Sequence, residues 1–260
     1  MAPLDVTSKL EPVVKDMTDK LVLRSELRFE QVQQLATALK DNTSLTEMNL
    51  GNANIGDQGM RLLTLLWDKD AQERARERAK MGLEEEDDMR SKKEIERDRE
   101  LAAADAAKIP VMQLMTLEMH RNGLGPIGAE AFASALSWGM FANLKLLFLS
   151  NNEIGDVGFR HLSSALVSPI QDGVAQRLGE GWPQHWLPLS KLEALDLYGN
   201  KVGTLGVGFL TDACERGALP ILQKLHLDML RGYGGEVHAD VQNRMKEVLR
   251  STSGAQVFFG

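Results

Sequence analysis

Along this chain the apolar residues fall into one phased pattern that occurs four times. Leu45, Met48, Leu50, Ile55, Gly59, Leu63 and Trp67 make the first copy. Leu114, Leu117, Met119, Asn122, Leu124, Gly128, Phe132 and Leu136 make the second. The third has Leu144, Leu147, Leu149, Asn152, Ile154, Gly158, Leu162 and Leu166, and the fourth has Leu192, Leu195, Leu197, Asn200, Val202, Gly206, Leu210 and Cys214. Each copy opens with alternating apolar and polar residues, which predicts a short strand with its leucines on the core side. Each closes with apolar residues four apart, as at Leu162 and Leu166, which predicts a helix with one buried stripe.

Between strand and helix stand an asparagine (Asn122, Asn152, Asn200) and a hydrophobic-Gly-x-x-Gly step. An asparagine amide both donates and accepts, so it can bridge backbone groups of adjoining coils while the chain turns. The first glycines (Gly56, Gly125, Gly155, Gly203) suit the turn into the helix, and Pro126 falls where a first-turn proline is tolerated. The second glycines (Gly59, Gly128, Gly158, Gly206) let neighbouring helices approach. In the first copy Ala53 takes the asparagine slot.

These residues and spacings resemble the ribonuclease-inhibitor class of leucine-rich repeats, with a helix in every repeat and a step of 30 positions from Asn122 to Asn152. The resemblance implies an α/β fold: a right-handed solenoid, or horseshoe arc, with parallel strands on the concave face and helices on the convex face. One domain over 1–260 is expected. Its parts are an N-terminal cap with a degenerate repeat (1–44, from Leu21, Leu23, Leu27, Leu35 and Leu39), a repeat (45–67), two repeats (111–167), a repeat (189–219), and a C-terminal strand with a capping helix (220–260). Irregular ends fit a solenoid, whose terminal coils must cover the core.

Two intervals are too long for the repeat. Ala53 to Asn122 spans 69 positions and Asn152 to Asn200 spans 48, each excess following a helix and preceding a strand. Both therefore belong on one rim, with roots about 10 Å apart. The first, 68–110, is charged: Asp68 to Lys108 holds eleven Lys or Arg against fourteen Asp or Glu. Pairs four apart such as Glu86–Arg90 and Asp88–Lys92 support a solvated helical insertion, with a break at Gly82. The second, 168–188, is a Gly- and Pro-rich loop carrying Trp182 and Trp186. Two tryptophans there serve as a plug or as partner anchors.

On the concave face the residues between the leucines pair as Glu47 with Asn49, Glu118 with His120, Leu146 with Phe148, Asp196 with Tyr198, and Lys224 with His226. Aromatic residues rimmed by charge suit protein recognition. The candidate partner-binding residues are Glu118, His120, Phe148, Asp196, Tyr198, His226, Trp182 and Trp186. No catalytic, cofactor or metal site is expected. Phe148 separates the acidic and histidine groups, and H-x-x-x-H, C-x-x-C and phosphate-loop spacings are missing. Cys214 reads as a buried structural thiol.

Composition narrows the picture further. A net charge of −7 argues against nucleic-acid binding, which needs a basic face. A single cysteine rules out an internal disulfide and fits a reducing compartment. No apolar run approaches the roughly 20 residues that cross a bilayer, and Met1 to Lys20 lacks signal-peptide character. An intracellular, cytoplasmic protein is expected, with an organelle left open should a presequence have been removed. The expected function is a non-catalytic protein-interaction module, an accessory or scaffold subunit of a hetero-oligomeric assembly. Two alternatives follow from resemblance. The Ran-type GTPase-activating proteins share the repeat class and present an arginine after a strand, where Arg121 stands here. The tropomodulin-type actin-capping modules have junctions similar to Leu35–Leu45.

Overall fold

The structure, a computed structural model, describes residues 6–15, 17–39, 42, 44–67, 113–137, 140–167, 187–227 and 237–259. The charged 68–110 segment and the tryptophans of 168–188 lie outside the described residues.

The described residues alternate helix and strand as α1 (Val6–Val14), β1 (Lys20–Val22), α2 (Phe29–Leu39), β2 (Glu47–Asn49), α3 (Gly56–Trp67), β3 (Thr116–Glu118), α4 (Pro126–Ser137), β4 (Leu146–Phe148), α5 (Gly155–Val167), β5 (Ala194–Asp196), α6 (Thr204–Glu215), β6 (Lys224–Leu227), α7 (Ala239–Thr252) and β7 (Gln256–Phe259). The strands form one seven-stranded parallel sheet in chain order. Each helix packs on the next, as an α/β repeat solenoid requires. Leu117, Leu147, Leu195 and Leu225 stand in one register row and are buried between sheet and helices.

The asparagines knit the coils together. Asn152 Oδ1 accepts from the Asn122 and Leu124 N–H groups (2.8 and 3.2 Å), and its Nδ2 donates to the Met119 and Leu149 carbonyls (3.0 and 2.8 Å). Asn122 accepts from Ile55 N–H and donates to Leu50 O. Asn200 donates to Leu149 O and Leu197 O, but among the described residues its buried Oδ1 has no partner. The residue before each slot is left-handed: Asn52, Arg121, Asn151 and Gly199 have φ of 60, 53, 55 and 70°. Ala53 is fully buried without an amide to bridge, between left-handed Asn52 and Asn54.

The Gly-x-x-Gly steps divide into two kinds that alternate along the array. Gly56 and Gly155 are left-handed (φ 61°) and donate N–H to Asn122 O and Asn200 O. Each is followed by an aspartate. Asp57 Oδ1 accepts from the N–H groups of Gly125 and Gly128 at 2.7 and 2.8 Å. Asp156 Oδ1 accepts from Gly203 and Gly206 at 2.7 and 3.0 Å. An anion at a helix N-terminus satisfies orphan donors and complements the helix dipole. Here the anion comes from the preceding coil. The coils of Gly125 and Gly203 carry Pro126 and Thr204 in the aspartate's place; Thr204 Oγ1 accepts from His238 N–H at the start of α7 (3.1 Å). All four first glycines thus stand at the turn into a helix, but only Gly56 and Gly155 take the left-handed conformation there. In chain order, both long intervals, 68–112 and 168–186, follow the aspartate-bearing helices α3 and α5.

The two ends are closed differently. At the N-terminal end α1, which sequence periodicity did not reveal, buries Leu10 and Val13, and Asn42 Nδ2 donates to Val13 O (2.7 Å). At the C-terminal end α7 packs on α6, with Arg244 forked onto Asp212 (2.7 Å) and Glu215 (2.6 Å). The Arg244 hydrogen bond holds the Glu215 carboxyl below its ordinary range. The apolar tail pairs with β6 as β7, and Lys246 Nζ covers the Phe259 ring at 5.2 Å from its centroid. Among the described residues no helix is long and apolar enough to cross a membrane.

Candidate functional site

The sheet face turned away from the helices carries the candidate residues, and strand register sets who stands beside whom. One row reads Asn49, Glu118, Phe148, Asp196, His226 and Phe258 across β2 to β7. A second reads Glu47, Thr116, Leu146, Ala194, Lys224 and Gln256. His120 and Tyr198 belong to a further row, where Asn52 N–H donates to His120 O and Asn151 N–H to Tyr198 O. Within β3 and β5 the same-face neighbours of Glu118 and Asp196 are therefore Thr116 and Ala194, four positions before the His120 and Tyr198 read from the sequence. Glu118, Phe148, Asp196 and His226 do come together in one row. Trp182 and Trp186 lie outside the described residues.

The two halves of this face differ electrostatically. On β1 to β3 the charges pair internally. Lys20 Nζ meets Glu47 Oε2 at 2.5 Å, and that hydrogen bond and charge hold the Lys20 ammonium above its ordinary value. Arg24 lies 3.6 Å from Glu118, which also accepts from Asn49 Nδ2. His120 lies against Gly51: a Cβ there would stand 2.2 Å from the His120 ring, which would have to shift aside.

Lys145 and Glu193, just before β4 and β5, lie 3.7 Å apart, but the charged side chains in the open-face rows of β4 to β7 make no such pairs among the described residues. The Asp196 carboxylate accepts only the Tyr198 backbone N–H (3.1 Å) among the described residues. Lys224 and His226 make no ion pair there; His226 meets the Phe258 ring edge-on at 4.9 Å. Tyr198 and Phe258 are 43% and 46% exposed. The missed contributors are Leu146's neighbours Thr116 and Ala194, and Phe258 on a strand that sequence alternation did not mark.

Arg121 is exposed in the left-handed turn after β3. Cys214 is fully buried in α6, and burial pushes its thiol pKa up to about 12. Among the described residues no three His, Cys, Asp or Glu side chains are grouped to hold a metal ion.

No curated protein matches this chain. A leucine-rich-repeat family profile matches residues 41–63, a span that includes β2 and the start of α3. With the seven-stranded parallel array, that match supports a leucine-rich-repeat protein.

Proposed function

We propose that this chain is a non-catalytic interaction module of a larger protein assembly and that it engages its partner through the open sheet face of β4 to β7. Leucine-rich repeats generally mediate protein–protein interaction, and that is the general ground for the reading. The observation that carries the specific surface is the contrast between the two halves. The β1–β3 side spends its charges on itself, whereas Phe148, Asp196, Tyr198, Lys224, His226 and Phe258 present rings and unpaired charges. Aromatic anchors with a charged rim are the composition of recognition surfaces. Glu118 and His120, named from sequence beside these residues, belong to the self-paired side.

The test is a pair of surface variants of the full chain, Phe148→Ala with Tyr198→Ala on one side and Lys20→Ala with Glu47→Ala on the other. Each is measured for association with the native assembly by co-purification and sedimentation. The first pair abolishes association while circular dichroism stays native; the second leaves it intact. Loss with the second pair alone would move the contact to the N-terminal half. The 68–110 and 168–188 segments form a second proposed contact on the rim. Deleting 70–106 tests it by the same association assay.

A further inference from the structure

Resting on the reading above, we propose that the open face of β4 to β6 seats an arginine of the partner polypeptide, its guanidinium on the Asp196 carboxylate and against the rings of Phe148 and Tyr198. Asp196 sits beside Phe148 in the same register row, one strand spacing of about 4.8 Å away. Tyr198 is two residues further along the same chain segment and 43% exposed. A carboxylate next to two aromatic groups on an open surface is complementary to a cation with a planar face. Arginine stacks on rings and bridges carboxylates with paired N–H donors, whereas a lysine ammonium offers only a point charge.

The carboxylate is held ready. Its Oδ1 accepts the Tyr198 N–H at 3.1 Å, which fixes the group's orientation and leaves the second oxygen free for an incoming donor. Among the described residues it makes no ion pair, and His226, its row neighbour on β6, meets the Phe258 ring instead. The face itself shows the alternative: Glu118, the other carboxylate flanking Phe148, is already met by Arg24 at 3.6 Å. Asp196, on the other side of Phe148, carries no such ion pair among the described residues.

The neighbours specify the rest of the segment. Leu146 and Ala194, adjacent in the next row, take an apolar side chain on one side of the arginine. Lys224 and His226 on β6 repel a second cation and favour an acidic residue on the other side. The recognised chemistry is an apolar–arginine–acidic segment.

The probe is the pentapeptide acetyl-Ala-Leu-Arg-Glu-Leu-amide, titrated into the isotope-labelled full chain and followed by amide chemical shifts. A second peptide has glutamine in place of arginine. Binding is expected in the millimolar range, with shifts confined to β4–β6. Asp196→Asn and the glutamine peptide each weaken it about fivefold or more, and together weaken it no further than either alone. Should binding be lost in Phe148→Ala yet persist unchanged in Asp196→Asn and with the glutamine peptide, the arginine assignment fails and the open-face reading survives. Shifts elsewhere, or none at 10 mM peptide (about 2.7 kcal/mol of binding at most), overturn the assignment; if the Phe148 and Tyr198 variants also assemble normally, the open-face reading falls with it.

Discussion

Asp57 and Gly128 are matched across a repeat boundary: Asp57 Oδ1 accepts the Gly128 N–H at 2.8 Å, and a Cβ on Gly128 would stand 2.5 Å from that same oxygen. The glycine is there because the carboxylate is. It also brings the backbones together, since the Asp57 Cα would be 3.3 Å from the added carbon.

Asp57→Ala strips the acceptor from two helix N-terminal donors and is expected to cost about 1–3 kcal/mol of stability. Gly128→Ala should cost a similar amount through the clash, but far less in an Asp57→Ala background. Urea unfolding of the two single variants and the double variant measures this coupling. Strict additivity would show that the glycine serves some other neighbour.

Asn152 and Asn200 occupy equivalent slots, yet only Asn152 uses both ends of its amide. Asn152→Ala strips the partner from the Asn122 and Leu124 N–H groups and from the Met119 carbonyl, Leu149 O keeping Asn200 Nδ2, and is expected to cost about 3–5 kcal/mol. Asn200→Ala is expected to cost about 1–2 kcal/mol less than that, because its oxygen contributes no bond. Equal losses in denaturation midpoints would contradict the ladder as described.

Much of this was legible in the linear pattern, and the parts that were not share a physical cause. The strands, the helix stripes and the asparagine bridges follow from local spacing. The rows on the open face do not, because a strand read two residues out of register keeps the same leucines buried; only pairing distinguishes Thr116 from His120 beside Glu118. The aspartate clamps join residues 68 and 71 positions apart at Asp57 and 47 and 50 apart at Asp156, and nothing local marks them. β7 escaped notice because Gln256-Val257-Phe258-Phe259 lacks the alternation of the inner strands.

Ser163 places a hydroxyl in the core without a hydrogen-bond partner among the described residues, on a pocket of about 20 Å³ whose other described lining residues are all apolar. One water fits such a volume but would find too few polar groups to hold it. Ser163→Ala is therefore expected to raise stability by about 1 kcal/mol, or about 2–4 °C in Tm by calorimetry. A fall in Tm would mean that the hydroxyl has found a partner.

Cys214, with its thiol pKa raised by burial from 9.0 to about 12, keeps its proton in the folded state at pH values where the unfolded chain has lost it. Between pH 9 and 12 the folded state binds more protons, so stability falls as pH rises, by up to about 1.4 kcal/mol per pH unit. Below pH 9 the thiol makes no difference. A Cys214→Val variant should lose this alkaline slope relative to the parent, and the native thiol should ignore a disulfide reagent at pH 8 that labels it in urea. Rapid labelling of the folded protein would show that the helix opens.

Because each aspartate clamp runs from one coil to the next, the coils that carry the four glycine steps are tied in twos. The coils of Gly56 and Gly155 supply the carboxylate, and those of Gly125 and Gly203 supply the N–H groups. Both long intervals fall, in chain order, between the two members of a pair rather than between one pair and the next. Each clamp therefore ties the helix start after an interval to the coil before it, whatever length of chain lies between.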